Sequence, residues 1–454
     1  MIDKENIPAS WAIIKMKDVA KWSSGGTPLS TNTDYYNGNI PWLIIGDLND
    51  GFVSNSEKQI TKLGLENSSA KMVKPGSVLL ALYGSIGKLA INKIPLATNQ
   101  AIAFTEELYE FVDNKFLFHY LFSIRSYLHS LGKGATQKNI SQTVLKEVDF
   151  PLPPIKEQQQ IVSKIEELFT DLDKGVEYLT TAQQQLKVYR QAVLKWAFEG
   201  KFLKNMSNWQ TIQLGNVANA IDPQPSHRTP PISKDGIPYI SIKDVDHEND
   251  SINFSTARKV SKTVLIEHLE RYKLHSGDFI IGKIGTIGKP VRIVLPQEYT
   301  LSANVVLIQP RKINNKFLYY LFQSDLMESQ FRNGQKATAQ AAFGIQKVRT
   351  MNIPYPEQCQ QEYIVHEIES RLSVCDKIEE TIADSLQQAE ALRQSILKKA
   401  FEGKLVPQDP NDEPAQKLLE RIRDLRQAQG KQGKAKPEKK EKVKAPKKKA
   451  LVNG

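Results

Sequence analysis

The sequence predicts an α+β protein: two mixed α/β domains joined by two long antiparallel coiled-coil helices, with a pseudo-two-fold internal repeat. Three observations lead there. A block of about fifty residues recurs at a constant offset, the stretches before the two copies echo each other loosely, and each copy carries one apolar stripe at helical spacing.

The repeat comes first. Residues 151–202 begin PLPPIKEQQQIVSKIE and end YRQAVLKWAFEGKF; residues 354–405 begin PYPEQCQQEYIVHEIE and end LRQSILKKAFEGKL. The offset stays at 203 without a gap, so Ile161 matches Ile364 and Phe198 matches Phe401. Upstream the echoes need gaps: IPWLIIGDL (40–48) and IPYISIKDV (237–245), GSIGK (84–88) and GTIGK (285–289), NKFLFHYLF (114–122) and NKFLYYLF (315–322). The chain therefore divides into a mixed domain (1–150), a helical segment (151–202), a second mixed domain (203–353), a second helical segment (354–405), a helical extension (406–430) and a lysine-rich tail (431–454).

The helical segments follow from periodicity. In the second, Ile364, Ile368, Leu372, Cys375, Ile378, Ile382, Leu386, Ala389, Leu392 and Ile396 advance by threes and fours, which puts them on one stripe. In the first, Ile161, Ile165, Leu168, Leu172, Val176, Leu179, Leu186 and Val193 follow the same stripe, with Gln183 and Tyr189 as interruptions and Gly175 as an expected soft point. Prolines precede both helices, and Gly200 and Gly403 close them. Each stripe needs a partner, and the other copy supplies one. Parallel pairing is open too, but antiparallel pairing relates two tandem halves by an approximate two-fold axis. A helix of about 40 residues spans roughly 60 Å.

The mixed domains show short apolar runs (PWLII, SVLLALY, DFIIGKI, NVVLI) punctuated by Gly, Pro, Asn and Asp, with one helix at NKFLFHYLFSIRSYL. Residues 431–454 are low in apolar residues and read as a disordered tail. That tail accounts for +8 of the net +11, while residues 201–356 carry 20 basic and 12 acidic residues against 15 and 14 in residues 1–150. Net charge alone is thus a weak pointer to nucleic acid. Two cysteines, Cys359 and Cys375, give no disulfide framework and suit a reducing cytoplasm. The opening MIDKENIPASW has no leader pattern, and no apolar run is long enough to span a membrane.

Signs of chemistry are sparse. A base-amine methyltransferase needs an Asn/Asp-Pro-Pro-aromatic string; Asp222–Pro225 and Asn352–Tyr355 come nearest and do not fit. GSIGK and GTIGK lack the hydroxyl residue and glycine spacing of a phosphate-binding P-loop. The seven histidines show no metal-ligand spacing. No catalytic residue, metal or bound cofactor is expected. Polar loops offer better candidates. Gly134–Asn139 and Gln335–Gln340 fall at equivalent places, and their Gln137, Lys138, Asn139, Gln335, Lys336 and Gln340 have the donors and acceptors that base edges demand. Tyr83, Ser85, Arg258 and Arg292 join them, with Lys88 and Lys289 as phosphate contacts.

The duplicated P-L-P-P-x-x-E-Q start, the R-Q-x-[VI]-L-K-x-A-F-E-G-K-[LF] end and the closing KLVPQDPNDEPAQKLLERI resemble the specificity subunits of type I restriction–modification systems across residues 1–425. Gln360-Gln361 stands where the first copy has Glu157-Gln158, and the lysine tail departs from the family pattern. The resemblance implies that the mixed domains are target-recognition domains and the helices spacers that also hold modification subunits. It implies a cytoplasmic chain that binds double-stranded DNA, two methyltransferase subunits and two motor-nuclease subunits, with S-adenosylmethionine, ATP and Mg on those partners. The residues alone leave open a stand-alone two-headed DNA-binding regulator and a coiled-coil scaffold without DNA.

Overall fold

The computed structural model describes residues 7–134, 138–203, 209–247, 249–336 and 343–432. The lysine-rich residues 433–454 lie outside them. The chain forms two compact units, residues 1–176 with 387–454 and residues 177–386. No helix among the described residues is long and apolar enough to cross a membrane.

In the first unit, Ala12–Lys15 pairs antiparallel with Asp149–Leu152, closing the domain beside the start of the long helix Ile155–Phe198. A five-stranded sheet runs in the order Ala20–Ser24, Ile102–Leu108, Val78–Ala81, Leu89–Asn92, Gly51–Val53. Its strands are short apolar runs, fully buried in the middle, as sheets covered on both faces require. A smaller sheet holds Gln59–Ile60, Tyr36–Leu43, Leu96–Thr98 and Met72–Val73.

The second unit repeats this plan. Gln210–Gln213 pairs with Asn352–Tyr355 beside the long helix Gln358–Phe401. The main sheet runs Ala218–Ile221, Val305–Pro310, Phe279–Gly282, Pro290–Arg292, and the small sheet Arg258–Val260, Ile237–Ile240, Thr300–Leu301. The string Asn352–Tyr355 is thus a strand. The single helix expected over 114–128 is broken at Ile124 into Asn114–Ser123 and Arg125–Ser130. Asn315–Phe322 is the counterpart of the first piece, and Asp113 and Asn314 cap the two starts.

Both long helices have 44 residues. Gly175 does not interrupt the first. Gly200 and Gly403 end them at φ 70° and 69°, where Lys201 N–H returns to the Trp196 carbonyl and Lys404 N–H to the Lys399 carbonyl. In each unit the start of one helix lies against the end of the other. Ile161 and Ile165 share the first core with Ile396, Leu397 and Phe401; Ile364 and Ile368 share the second with Val193, Leu194 and Phe198. Phe401 meets Phe116 edge-on at 5.3 Å, and Phe198 meets Phe317 at 5.3 Å. This gives the repeated AFEGK a physical reason: each helix starts on one mixed domain and its terminal Phe fills the core of the other. Two arginines repeat the relation. Arg393 reaches Asp173 in the first unit, and Arg190, 203 residues earlier, reaches Asp376 and Glu379 in the second.

The expected stripe needs two corrections. Ile378 is 42% and Leu392 50% exposed, while Cys375 and Ile382 are buried. Between these two, a helix can place residue 378 or 379 at the seam, and Arg190 draws Glu379 there. Leu168, Leu172 and Leu372 are half-buried against the cores. Leu179, Leu186 and Leu386 are also half-buried but outside them.

Candidate nucleic-acid interface

The two glycine-rich strings form the connections of equivalent hairpins. In the first unit, Val78–Ala81 and Leu89–Asn92 are joined by residues 82–88, with Gly84 at φ 63° and Gly87 at φ 86°. A Cβ on Gly87 would lie 2.7 Å from Arg125 Cγ, so the position needs glycine twice over. The Arg125 Nε donates to the Gly87 carbonyl at 2.8 Å, and its two amino groups fork onto Asp50, with Nη1 3.1 Å from Oδ2. Asp50 also accepts from Leu89 N–H at 3.0 Å. The hairpin tip is therefore clamped from below.

The tip meets the polar loop. Tyr83 bridges to Asn139, Gly84 N–H donates to the Lys138 carbonyl at 3.2 Å and Ile140 N–H to the Leu82 carbonyl at 2.9 Å. Asn139 and Lys133 exchange both backbone hydrogen bonds at 2.9 and 3.0 Å. Four candidates chosen from separate stretches, Tyr83, Ser85, Lys138 and Asn139, thus belong to one surface, and Lys133 joins them. Ser85, Lys133, Lys138 and Asn139 are exposed and Tyr83 half-exposed. Lys88 departs: its ammonium points to the Ile45 and Gly46 carbonyls at 3.4 and 3.2 Å. Gln137 lies outside the described residues.

The second hairpin joins Phe279–Gly282 to Pro290–Arg292. Gly285 sits at φ 75° in open space, and Gly288 at φ 79° faces the Phe331 ring. The Phe343 N–H donates to the Lys283 carbonyl at 2.9 Å, the counterpart of Ile140 on Leu82. Lys283 itself is buried on Asp222 at 2.9 Å, which explains that aspartate of the first proline-rich string. Ile284, Thr286 and Lys289 are exposed. Beside Lys289 stands His247, its pKa lowered by burial and then by the lysine charge. Arg292 is occupied elsewhere: it pairs with Asp250 at 3.3 Å and lies over the Tyr319 ring at 4.3 Å. Arg258 belongs to the small sheet, paired with Tyr239. Gln335 and Lys336 close the helix Asp325–Lys336, and Gln340 lies outside the described residues.

Sequence reasoning missed the clamp of Arg125 and Asp50 because 75 residues separate them with no local signal. Among the described residues no group of three His, Cys, Asp or Glu could hold a metal ion. Among the described residues neither surface pairs a nucleophile with a base. What each offers is backbone amides, amide side chains and cations at a rigid hairpin tip, which suits reading and holding a nucleic acid.

The family described as Type I restriction modification DNA specificity domain matches residues 8–185 and again 206–388, and the chain belongs to it. Among curated relatives, it is 25% identical over 459 residues to the type I restriction enzyme EcoBI specificity subunit of Escherichia coli, covering 94% of both chains. It is 26% identical over 362 residues to the MjaIX specificity subunit of Methanocaldococcus jannaschii, covering 72% of this chain and 79% of that one. The fold is shared with a chain of a solved type I R-M system (TM-score 0.67, 19% identity, 88% of this chain and 99% of that chain). It is also shared with the HsdS subunit of Thermoanaerobacter tengcongensis (TM-score 0.54, 18% identity, 88% and 98%).

Proposed function

We propose that this chain is the non-catalytic DNA-sequence-reading subunit of a type I restriction–modification complex, each mixed domain reading one half of a split, asymmetric site. The observation that carries this is the pairing of two similar scaffolds with two dissimilar hairpin surfaces. Tyr83, Lys138 and Asn139 stand on one, and Ile284, Thr286 and Lys289 on the other. Similar frames with different reading groups recognise different base sequences.

The partners follow from the same reading. Two modification subunits and two restriction subunits join the chain in the cytoplasm, and S-adenosylmethionine, ATP and Mg act on those subunits. Exposed apolar side chains on the long helices support a docking role: Tyr178 is 73% and Val188 71% exposed, and Trp196, Val374 and Leu392 are also exposed. The helices set the unread gap between half-sites. Inserting about four residues, roughly one turn, at matching places in both helices lengthens that gap and leaves both half-sites unchanged.

The test is methylome sequencing of a host carrying the methyltransferase with and without this chain. Methylation at one split motif only when the chain is present is the expected result. Equal methylomes with an active methyltransferase would reject the proposal in favour of a stand-alone regulator or a scaffold.

A further inference from the structure

The small sheets of the two units, four strands in the first and three in the second, can be aligned through their shared strings and strand pairs. Ile40 matches Ile237 through the shared strings, and the strand pairs Ile40–Ile60 and Ile237–Val260 align the next strand. Both strings lead into the same short turn, Ile45–Asp47 and Ile242–Asp244, held by Asp47 on Ile44 N–H and by Asp244 on Ser241 N–H. The frame is one and the chemistry differs. In the second unit Lys234, Lys243, Arg258 and Lys259 line one shallow open depression, and no carboxylate among the described residues lines it. The matching residues of the first unit are Asn37, Gly46, Lys58 and Gln59, a single cation.

The four cations are not explained by internal structure. None has an acidic ion-pair partner among the described residues, and the Arg258 Nε is buried without a hydrogen-bond partner. The three lysines are exposed. Four like charges, two on the strand Arg258–Val260 and two on the turns beside the sheet, repel one another and attract a polyanion. The depression also flanks the second hairpin: Lys243 follows Ile242, whose Cδ1 lies 2.9 Å from where a Cβ on Gly282 would stand.

We propose that this depression is a phosphate-backbone clamp present in the second recognition domain and lacking in the first. It rests on the DNA-reading function above. Duplex DNA is the anion: its phosphates recur along the strand, as a row of cations requires. The second domain then supplies most of the sequence-independent affinity, and the first contributes mainly through base contacts at its hairpin.

The experiment uses the intact complex of this chain with its methyltransferase and the variant Lys234→Gln/Lys243→Gln/Lys259→Gln. Affinity is measured from low to physiological salt, for a duplex bearing the methylated motif and for an unrelated duplex. The slope of log affinity against log salt should become shallower by about 2.7, at about 0.9 per lost phosphate contact. Both duplexes should weaken by a similar factor and the methylated motif should stay the same. Lys58→Gln should move the slope by about 0.9 or less. If the triple variant folds poorly, each single lysine variant should lower the slope by about 0.9. An unchanged slope, or a changed motif, overturns the clamp while leaving the DNA-reading function standing. A wild-type complex without affinity for the motif duplex overturns that function and the clamp together.

Discussion

Where the first long helix leaves its domain, buried Gln158 accepts from Asp113 N–H at 2.9 Å and donates to the Phe111 and Pro153 carbonyls at 2.9 Å. Where the second leaves its own, buried Gln361 accepts from Asn314 N–H at 2.8 Å and donates to the Pro356 carbonyl at 2.9 Å. Lys115 and Glu166 brace the first joint, Lys316 and Glu369 the second. The hairpins share a backbone frame but not its support: one tip is clamped by an arginine fork, the other rests on aromatic rings. The contrast teaches that the joint carries geometry and the face carries information. A domain must be held at a fixed angle whatever it reads, whereas what it reads must differ between halves.

The joints also differ in ways that can be used to break the comparison. Replacing Gln158 with Ala strands three buried backbone groups and should cost the first unit about 3 kcal/mol; Gln361→Ala strands two and should cost the second about 2 kcal/mol. Denaturant melting gives the size, and hydrogen exchange should place each loss in its own unit. Equal losses in both units for either variant would mean that the joints are not independent.

A pH experiment separates the halves next. His119 is buried among aromatic rings where the other joint has Tyr320. Burial lowers its pKa to about 4 from the ordinary 6.5, the nearby Glu166 opposing and Lys115 assisting. A depressed imidazole is neutral in the folded chain and protonated in the unfolded one. Its contribution is therefore complete above pH 6.5 and is lost as pH falls toward about 4. On the order of 2–3 kcal/mol of first-unit stability should go in that window, and His119→Tyr should flatten the loss.

The hairpin clamps come third. Arg125→Lys removes the fork on Asp50 and should cost about 1.5 kcal/mol, a loss that shrinks in high salt. Phe331→Leu in the second unit should cost a similar amount, insensitive to salt. Melting both variants at two salt concentrations checks this; the same salt response in both would erase the distinction.

The smallest effects concern the two hairpin lysines. Lys88→Gln should lower stability by about 0.5 kcal/mol and leave the salt dependence of DNA binding unchanged, because its ammonium is spent on carbonyls. Lys289→Gln should leave stability unchanged and make the salt slope shallower by about 0.9.

Much of the fold was readable in the sequence. The stripe from Ile161 to Ile165 and from Ile364 to Ile368 is buried as its spacing predicts, because each residue there faces a wide apolar core. Ile378 was misassigned because spacing fixes a face only to within one residue, and the choice was made by Arg190 on the facing helix. The pairs Arg190–Asp376 and Arg393–Asp173 were illegible, since the register of two helices is not written in either one. The candidate surface was half legible. Composition marked the GSIGK turn and the polar loop separately, and only backbone hydrogen bonds between residues over fifty positions apart made them one surface. The same composition placed Lys88 and Arg292 among the candidates, although neighbouring carbonyls and Asp250 hold them.

The central claim is that each mixed domain reads its own half-site. Its most direct test is to exchange residues 209–353 for the matching stretch of the EcoBI specificity subunit and sequence the methylome with this chain's own methyltransferase. One half of the methylated motif should change and the other half stay as it was. A motif altered in both halves, or in neither, would contradict it.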